Sequence, residues 1–256
     1  MKGHKTLYAL EVPVFNTDEN FKIAKDFFKT SELLTLIEKA NNSLCDILSL
    51  KFNLKDEEGI PKAEKILKKL LPKITKPLMI NSVNNDDNLD QKLLPALINI
   101  LDRKSIISFA NENTYKEITP AVINGGHKLI LKSPIDINSC RELNILVSDL
   151  GLSLDKIIID TDIGGLGYGL DYGYSIMEKI KLENDEYLNM PIISFVCQES
   201  LKTKEALYDN FSKSWGDITS RARMYELASA SAVKAAGADI IVMYDPDNIK
   251  IMKGLC

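Results

Sequence analysis

A chain of 256 residues has room for one (β/α)8 barrel or two smaller domains. Its net charge of −4, from 32 Lys and Arg against 36 Asp and Glu, gives no basic footprint for nucleic acid, and no apolar run approaches the ~20 residues of a membrane span. The opening MKGHKTLYALEVPVF lacks the long apolar stretch and the cleavage site of a signal peptide, so a cytoplasmic protein is expected. Cys45, Cys140, Cys197 and Cys256 are scattered with no CxxC, which reads as buried thiols rather than a cluster or a zinc site. His4 and His127 are the only histidines, and His127, between Gly126 and an apolar run, reads as a loop residue.

Strand and helix signals alternate along the whole chain. Thr6–Val12 is strand-like, and Phe21–Ala40 repeats apolar residues at the three-and-four spacing of a helix. Cys45–Phe52 is a second strand; Pro61 suits the first position of a helix that Pro72 closes. Pro77–Val83 is the third strand, followed by a helix from Asp90 to Leu101 that Pro95 is expected to bend. Ser105–Asn111 is the fourth, with a helix Thr114–Ile123 stopping at Asn124-Gly125-Gly126. Lys128–Lys132 is the fifth, and a helix Asp136–Leu150 ends at Gly151. Lys156–Asp160 is the sixth, Pro191–Val196 the seventh and Ala238–Tyr244 the eighth. Helices follow at Asp171–Leu182, at about Arg221–Ala236 and at Pro246–Lys253.

Eight strands alternating with helices in this length predict a single TIM-barrel domain over residues 1–256, an α/β (β/α)8 fold, rather than an open doubly wound sheet. Function in such a barrel belongs to the loops after the strands' C-terminal ends. The residues there are Glu11, Asn53, Asn81, Asn111, Glu112, Ser133, Asp160, Asp162, Gln198, Glu199 and Asp245. Amides and carboxylates of this kind suit an uncharged polar or heteroaromatic ligand, and do not suit phosphate.

The most distinctive of these loops follows the sixth strand, where Asp160 and Asp162 precede Gly164, Gly165, Gly167 and Gly169. It follows a strand and opens a helix, as a dinucleotide fingerprint does. However, it runs GxGxG from Gly165 to Gly169, and Leu166, Tyr168 and Leu170 would crowd a pyrophosphate. The loop either turns the chain or lies against something broad and apolar, with Leu166 and Tyr168 exposed on it. Tyr172, Ile176 and Ile180 recur at four and read as helix core. Asp160 reads as a ligand contact or as a cap on the loop's backbone N–H groups. Asn111 reads as a ligand contact or a turn former, and Trp215 as an interface anchor or part of a loop pinned to the barrel.

The segment Ser133–Leu182, with its run GGLGYGxxYxxSIMExI from Gly164 to Ile180, resembles the corrinoid iron–sulfur protein small subunit. This is the delta-type subunit of the carbon monoxide dehydrogenase/acetyl-CoA synthase (acetyl-CoA decarbonylase/synthase) pathway. The resemblance continues through Met190–Ile193, Lys204–Ala206, Trp215–Asp217, Arg221, Glu226 and Ala236–Ile240, and is loose over the first hundred residues. Against the family's usual pattern the chain has Ser200-Leu201 in place of a tryptophan, Tyr225 in place of another, and Tyr244-Asp245-Pro246 in place of Arg-His-Pro.

What the resemblance implies is a TIM barrel related to pterin-binding methyltransferases, acting in the reductive acetyl-CoA pathway of one-carbon metabolism. It would pair with a larger subunit that carries the corrinoid (cobalamin) and the iron–sulfur cluster. The barrel mouth would cover the corrinoid while methyl passes from a methyl-pterin methyltransferase to acetyl-CoA synthase. The residues expected to meet the corrinoid or its holder are Asn111, Ser133, Asp160, Asp162, Gly164, Gly165, Leu166, Gly167, Tyr168 and Gln198. No catalytic residue and no metal ligand is assigned to this chain. The alternatives are an autonomous methyltransferase binding a methylated pterin through Asn81, Asn111 and Asp160, and a barrel enzyme of unrelated chemistry, for which no nucleophile–base pair is evident.

Overall fold

A computed structural model describes residues 5–15, 21–82, 86–133, 136–164, 166 and 169–254, with backbone alone for 21–24. Its centre is a closed barrel of eight parallel strands in sequence order, β1 pairing with both β2 and β8. The strands are β1 (Leu7–Pro13), β2 (Ile47–Lys51), β3 (Leu78–Asn81) and β4 (Ile106–Ala110), then β5 (Lys128–Lys132), β6 (Ile157–Asp160), β7 (Ile192–Ser194) and β8 (Ile240–Met243). Each short, largely apolar strand is buried between the barrel axis and the surrounding helices, which is why strict polar alternation is missing from the sequence.

The helices follow their strands around the outside. They are α1 (Phe21–Phe28), α2 (Leu33–Asn42), α3 (Ile60–Leu70), α4 (Asp87–Ile98), α5 (Tyr115–Gly125) and α6 (Ile137–Asp149). After these come α7 (Asp171–Leu182), α8 (Val196–Leu201), α9 (Lys204–Leu207), α10 (Ile218–Ala236) and α11 (Pro246–Gly254). Local chemistry sets many of their ends. Asp86 caps α4 by accepting from Asn88 N at 3.0 Å, and Asp136 caps α6 from Asn138 N at 2.7 Å. Gly126 ends α5 and Gly237 ends α10 in the left-handed region, at φ 65° and 106°. Among the described residues, no helix is long and apolar enough to cross a membrane.

Most boundaries fall within a few residues of the sequence expectation, and two elements differ in kind. The helix read over Phe21–Ala40 is two helices, because Lys29 adopts φ 54° and breaks the run with no glycine or proline to announce it. The seventh strand is only Ile192–Ser194; Val196 and Cys197, expected near its end, open α8. Pro95 sits inside α4, which continues through it.

The strand register sorts the barrel interior into two chemistries. Glu11 lies level with Ser49, Lys51 with Asn81, Asn81 with Ser108, and Lys132 with Asp160. Side chains two apart on a strand share a face, so these residues and Leu7, Ile47, Met79, Ile106, Ile158 and Ile240 belong to the same inward set. The interior is therefore apolar where the strands begin and largely polar where they end.

Candidate functional site at the C-terminal mouth

The polar half of the interior is a connected hydrogen-bond network centred on Glu11, which is fully buried. Its Oε2 accepts from Ser49 Oγ at 3.1 Å and from Asn81 Nδ2 at 2.5 Å. Its Oε1 accepts from Gln198 Nε2 at 3.1 Å and from the Cys197 thiol at 3.6 Å. Asn81 Oδ1 in turn accepts from Ser108 Oγ at 3.1 Å. Five segments of the chain are thus tied together by groups that would each be costly to bury alone. Burial pushes the Cys197 thiol well above its ordinary range, and Glu11 and Glu226 push it the same way.

Beside this network stand the charged groups of β5 and β6. Lys132 Nζ lies 3.2 Å from Asp162 Oδ2 and 5.1 Å from the Phe109 ring centroid. Burial raises the Asp160 carboxyl to about 7; the Asp162 and Glu199 charges add to the rise, and Lys132 opposes it. Burial alone would lower Lys132, but the surrounding carboxylates of Asp160, Asp162 and Glu199 raise it overall. Lys132, Asp160, Asp162, Gln198 and Glu199, with Phe109, Ile163 and Phe195, enclose a hollow of about 20 Å³, enough for roughly one water.

The structure answers several of the open sequence readings. Asp160 Oδ1 accepts from Asp162 N at 2.9 Å, so the carboxylate caps the start of the glycine loop. Asp162, at φ 56°, repeats the move by accepting from Gly164 N at 2.8 Å. Ser133 is buried beside them, its N–H donating to the Asp160 carbonyl at 3.1 Å. Asn111 belongs to a different device: its Nδ2 donates to Asp87 Oδ1 at 2.8 Å, and its Oδ1 accepts from Thr114 N at 3.1 Å. It is the turn former that starts α5, and its polar atoms are used there. Gly165, Gly167 and Tyr168 lie outside the described residues, as do His4 and Cys256.

Two expectations are corrected. Leu166 is not exposed: only 7% of it meets solvent, and its carbonyl accepts from the hydroxyl of Tyr225 on α10 at 3.4 Å. Tyr172 is not helix core: it is 69% exposed, standing in the first turn of α7, while Ile176 and Ile180 are buried as expected.

Trp215 sits in a loop pinned to the barrel. The loop from Glu205 to Gly216 is pinned by Arg221, whose guanidinium donates to the carbonyls of Glu205, Gly216 and Tyr208 at 2.8, 2.6 and 2.5 Å. Arg221 also lies 5.3 Å from the Phe211 ring centroid, on which Trp215 stacks at 5.4 Å. The loop is fixed, yet the Trp215 ring is 57% exposed. Tyr172, Leu207, Tyr208 and Met224, in the segments that follow β6 and β7, are exposed large side chains as well.

Reading the sequence did not single out Lys132, Ser49, Ser108 or Arg221 as parts of the site's machinery. Their signal was the inward register: each of the first three is a polar residue at an inward position of an otherwise apolar strand. Glu226 supports the last loop from beneath. It is fully buried on α10 and accepts from Tyr244 N at 2.5 Å and Asn248 Nδ2 at 2.9 Å. Burial raises its carboxyl to about 7.

The barrel is similar to solved dihydropteroate synthases. The Thermus thermophilus enzyme superposes with a TM-score of 0.64 at 10% identity, over 98% of this chain and 92% of the enzyme. The Coxiella burnetii enzyme, in complex with pteroic acid, gives 0.63 at 13% identity, over 98% and 93%. At such identities the likeness is one of fold. In sequence the chain is similar to acetyl-CoA decarbonylase/synthase complex subunit delta from three archaea. The Methanocaldococcus jannaschii protein is 28% identical over 196 residues, 75% of this chain and 47% of the relative. The Methanosarcina mazei protein is 26% identical over 228 residues, 85% and 52%. That of Archaeoglobus fulgidus is 25% identical over 211 residues, 78% and 46%. The chain spans about half the length of the curated relatives it matches. The family model described as CO dehydrogenase/acetyl-CoA synthase delta subunit matches residues 1–255, and with the barrel and its mouth in place the chain belongs to that family.

Proposed function

We propose that this barrel works in an acetyl-CoA decarbonylase/synthase-type complex as a cover for a corrinoid that a larger partner subunit holds. Methyl would pass from a methyl-pterin methyltransferase to acetyl-CoA synthase while the mouth shields the cofactor. The observation that carries this reading is the Glu11 network, whose polar groups at the mouth are taken up by one another. A site for a small ligand is usually a cleft of ~300–1,000 Å³, whereas the hollow that Lys132, Asp160, Asp162, Gln198 and Glu199 enclose holds about 20 Å³, and the Glu11, Asn81 and Gln198 side chains beneath are hydrogen-bonded to one another. Such a mouth suits a surface that lies on something.

The residues fit a corrinoid as neighbours of its edge. A corrin ring carries amide side chains at its periphery, and the rim groups of Asp160, Asp162, Gln198 and Glu199 can exchange hydrogen bonds with amides. Among the described residues, the mouth presents no imidazole, and the Cys197 thiol is buried against Glu11. When bound, the corrinoid's cobalt supplies the centre that takes up and releases methyl. This chain's part is to exclude water above it and to give the partner a footing on Tyr172, Tyr208 and Trp215.

The alternative, an autonomous methyltransferase with a pterin inside the mouth, would require that pterin to displace the bonds Asn81 makes to Glu11 and Ser108. The two readings separate when the chain is mixed with the corrinoid-bearing subunit of such a complex, and separately with methyltetrahydrofolate. Co-elution with a change in the corrinoid's visible spectrum, and no saturable pterin binding, is the expected result. Tight pterin binding with methyl transfer to free cobalamin would overturn the proposal.

A further inference from the structure

The N-terminal end of the barrel holds a hollow of about 730 Å³ that the covering role does not use. Its floor is the apolar half of the interior: the first inward residues Leu7, Ile47, Ile106, Ile158 and Ile240, with Met190 beside them. Five lysines line it, Lys5, Lys104, Lys128, Lys156 and Lys181, with two carboxylates, Asp46 and Asp239. Both carboxylates are already committed. Asp239 Oδ2 accepts from Lys181 Nζ at 2.5 Å and from Ile192 N at 2.8 Å. Asp46 accepts from Lys253 Nζ at 2.6 Å and from Tyr8 N at 2.9 Å. Lys156 stands 3.9 Å from Asp155, and Lys5, Lys104 and Lys128 form no ion pair among the described residues. A chain of net charge −4 has therefore gathered, around an apolar bowl, three lysines with no ion pair among the described residues.

We propose that this end of the barrel binds a small amphipathic anion, an aliphatic or aromatic body carrying one carboxylate-like head. The hollow's volume falls within the ~300–1,000 Å³ of small-molecule sites, which favours a free ligand over a flat protein contact. The body lies on the isoleucine and leucine floor, where each methylene taken out of water adds to the affinity. The head stays at the rim with Lys104 and Lys128, whose aliphatic stems extend the apolar wall while their ammonium groups face water. The site lies at the opposite end of the barrel from the mouth, so its occupancy and the corrinoid reading stand or fall separately.

The test uses the whole chain and two probes of equal length and opposite charge, dodecanoate and dodecyltrimethylammonium, each below its micellar concentration and followed by calorimetry. Saturable dodecanoate binding is expected, with the cationic probe about tenfold weaker or worse. The double variant K104E/K128E, changing two exposed side chains, should lose dodecanoate affinity by a similar factor at unchanged circular dichroism. Equal binding of the two probes would reduce the lysines to a solubilising rim and overturn the proposal. So would unaltered dodecanoate affinity in the double variant. Failure of both probes to saturate would also overturn it and leave the hollow to a second copy or to a partner's side chains.

Discussion

The two ends of the barrel are built from the same strands and reach opposite solutions. At the C-terminal mouth β1 to β6 each turn a polar side chain inward, and the groups consume one another: Glu11 alone takes four donors, and the hollow beside Lys132 and Asp160 holds about 20 Å³. At the N-terminal end the inward positions are apolar except Lys128 on β5, and about 730 Å³ stays open. The hollow of about 730 Å³ is thus at the end opposite the one that TIM barrels use for chemistry. What distinguishes the mouth is satisfied polarity below and exposed aromatic side chains around it, a combination that suits an interface.

The contrast can be broken most severely at its centre. Glu11→Ala removes the common acceptor of Ser49, Asn81, Gln198 and Cys197 and leaves buried donors unsatisfied. A loss of about 3 kcal/mol or more in urea unfolding is expected; a loss under about 1 kcal/mol would mean that the network does not organise the mouth. Arg221→Ala should cost about 2 kcal/mol and, more tellingly, release the loop from Glu205 to Gly216 to limited proteolysis, because three carbonyls lose their donor. Equal cleavage rates in wild type and variant would show that the loop is held some other way.

A smaller effect follows from pH. The Asp160 carboxyl is raised to about 7 in the folded chain, chiefly by burial, while an unfolded aspartate titrates near 3.9. Between these values the folded state keeps a proton that the unfolded state has released. This contribution to stability is complete below about pH 4 and is lost as pH rises through about 7. Asp160→Asn keeps an acceptor for Asp162 N and has no proton to lose. Its unfolding midpoint should therefore gain on wild type from about pH 4 to about pH 8, and parallel profiles would contradict the buried-carboxyl assignment. The smallest effect belongs to the other end: K104E/K128E should change stability by no more than about 0.5 kcal/mol, since both residues are exposed and hold no ion pair among the described residues.

Much of the fold was legible because strand and helix periods alternate eight times and the strand ends carry polar residues. Asp160 as a loop cap was legible in kind, since an aspartate before glycines offers that bond. The break at Lys29 was not, because a non-glycine residue in the left-handed region leaves no compositional mark. Leu166 and Tyr172 exchanged their expected environments for a tertiary reason: whether a loop bonds to α10 depends on a helix some 50 residues later in the chain. The Glu11 to Cys197 contact joins residues 186 apart, and only closure of the barrel brings them together. Lys132 could have been found from the inward register, once Asp160 was placed level with it.

Trp215 is the chain's only tryptophan and stands exposed in the loop after β7, so its fluorescence reports directly on what docks at the mouth. Titration with the corrinoid-bearing subunit of an acetyl-CoA decarbonylase/synthase complex should quench it saturably, and Tyr208→Ala should weaken that titration, while a methylated pterin alone should leave the emission unchanged. Quenching by the pterin alone, with no response to the corrinoid-bearing subunit, would contradict the claim that this mouth is a cover.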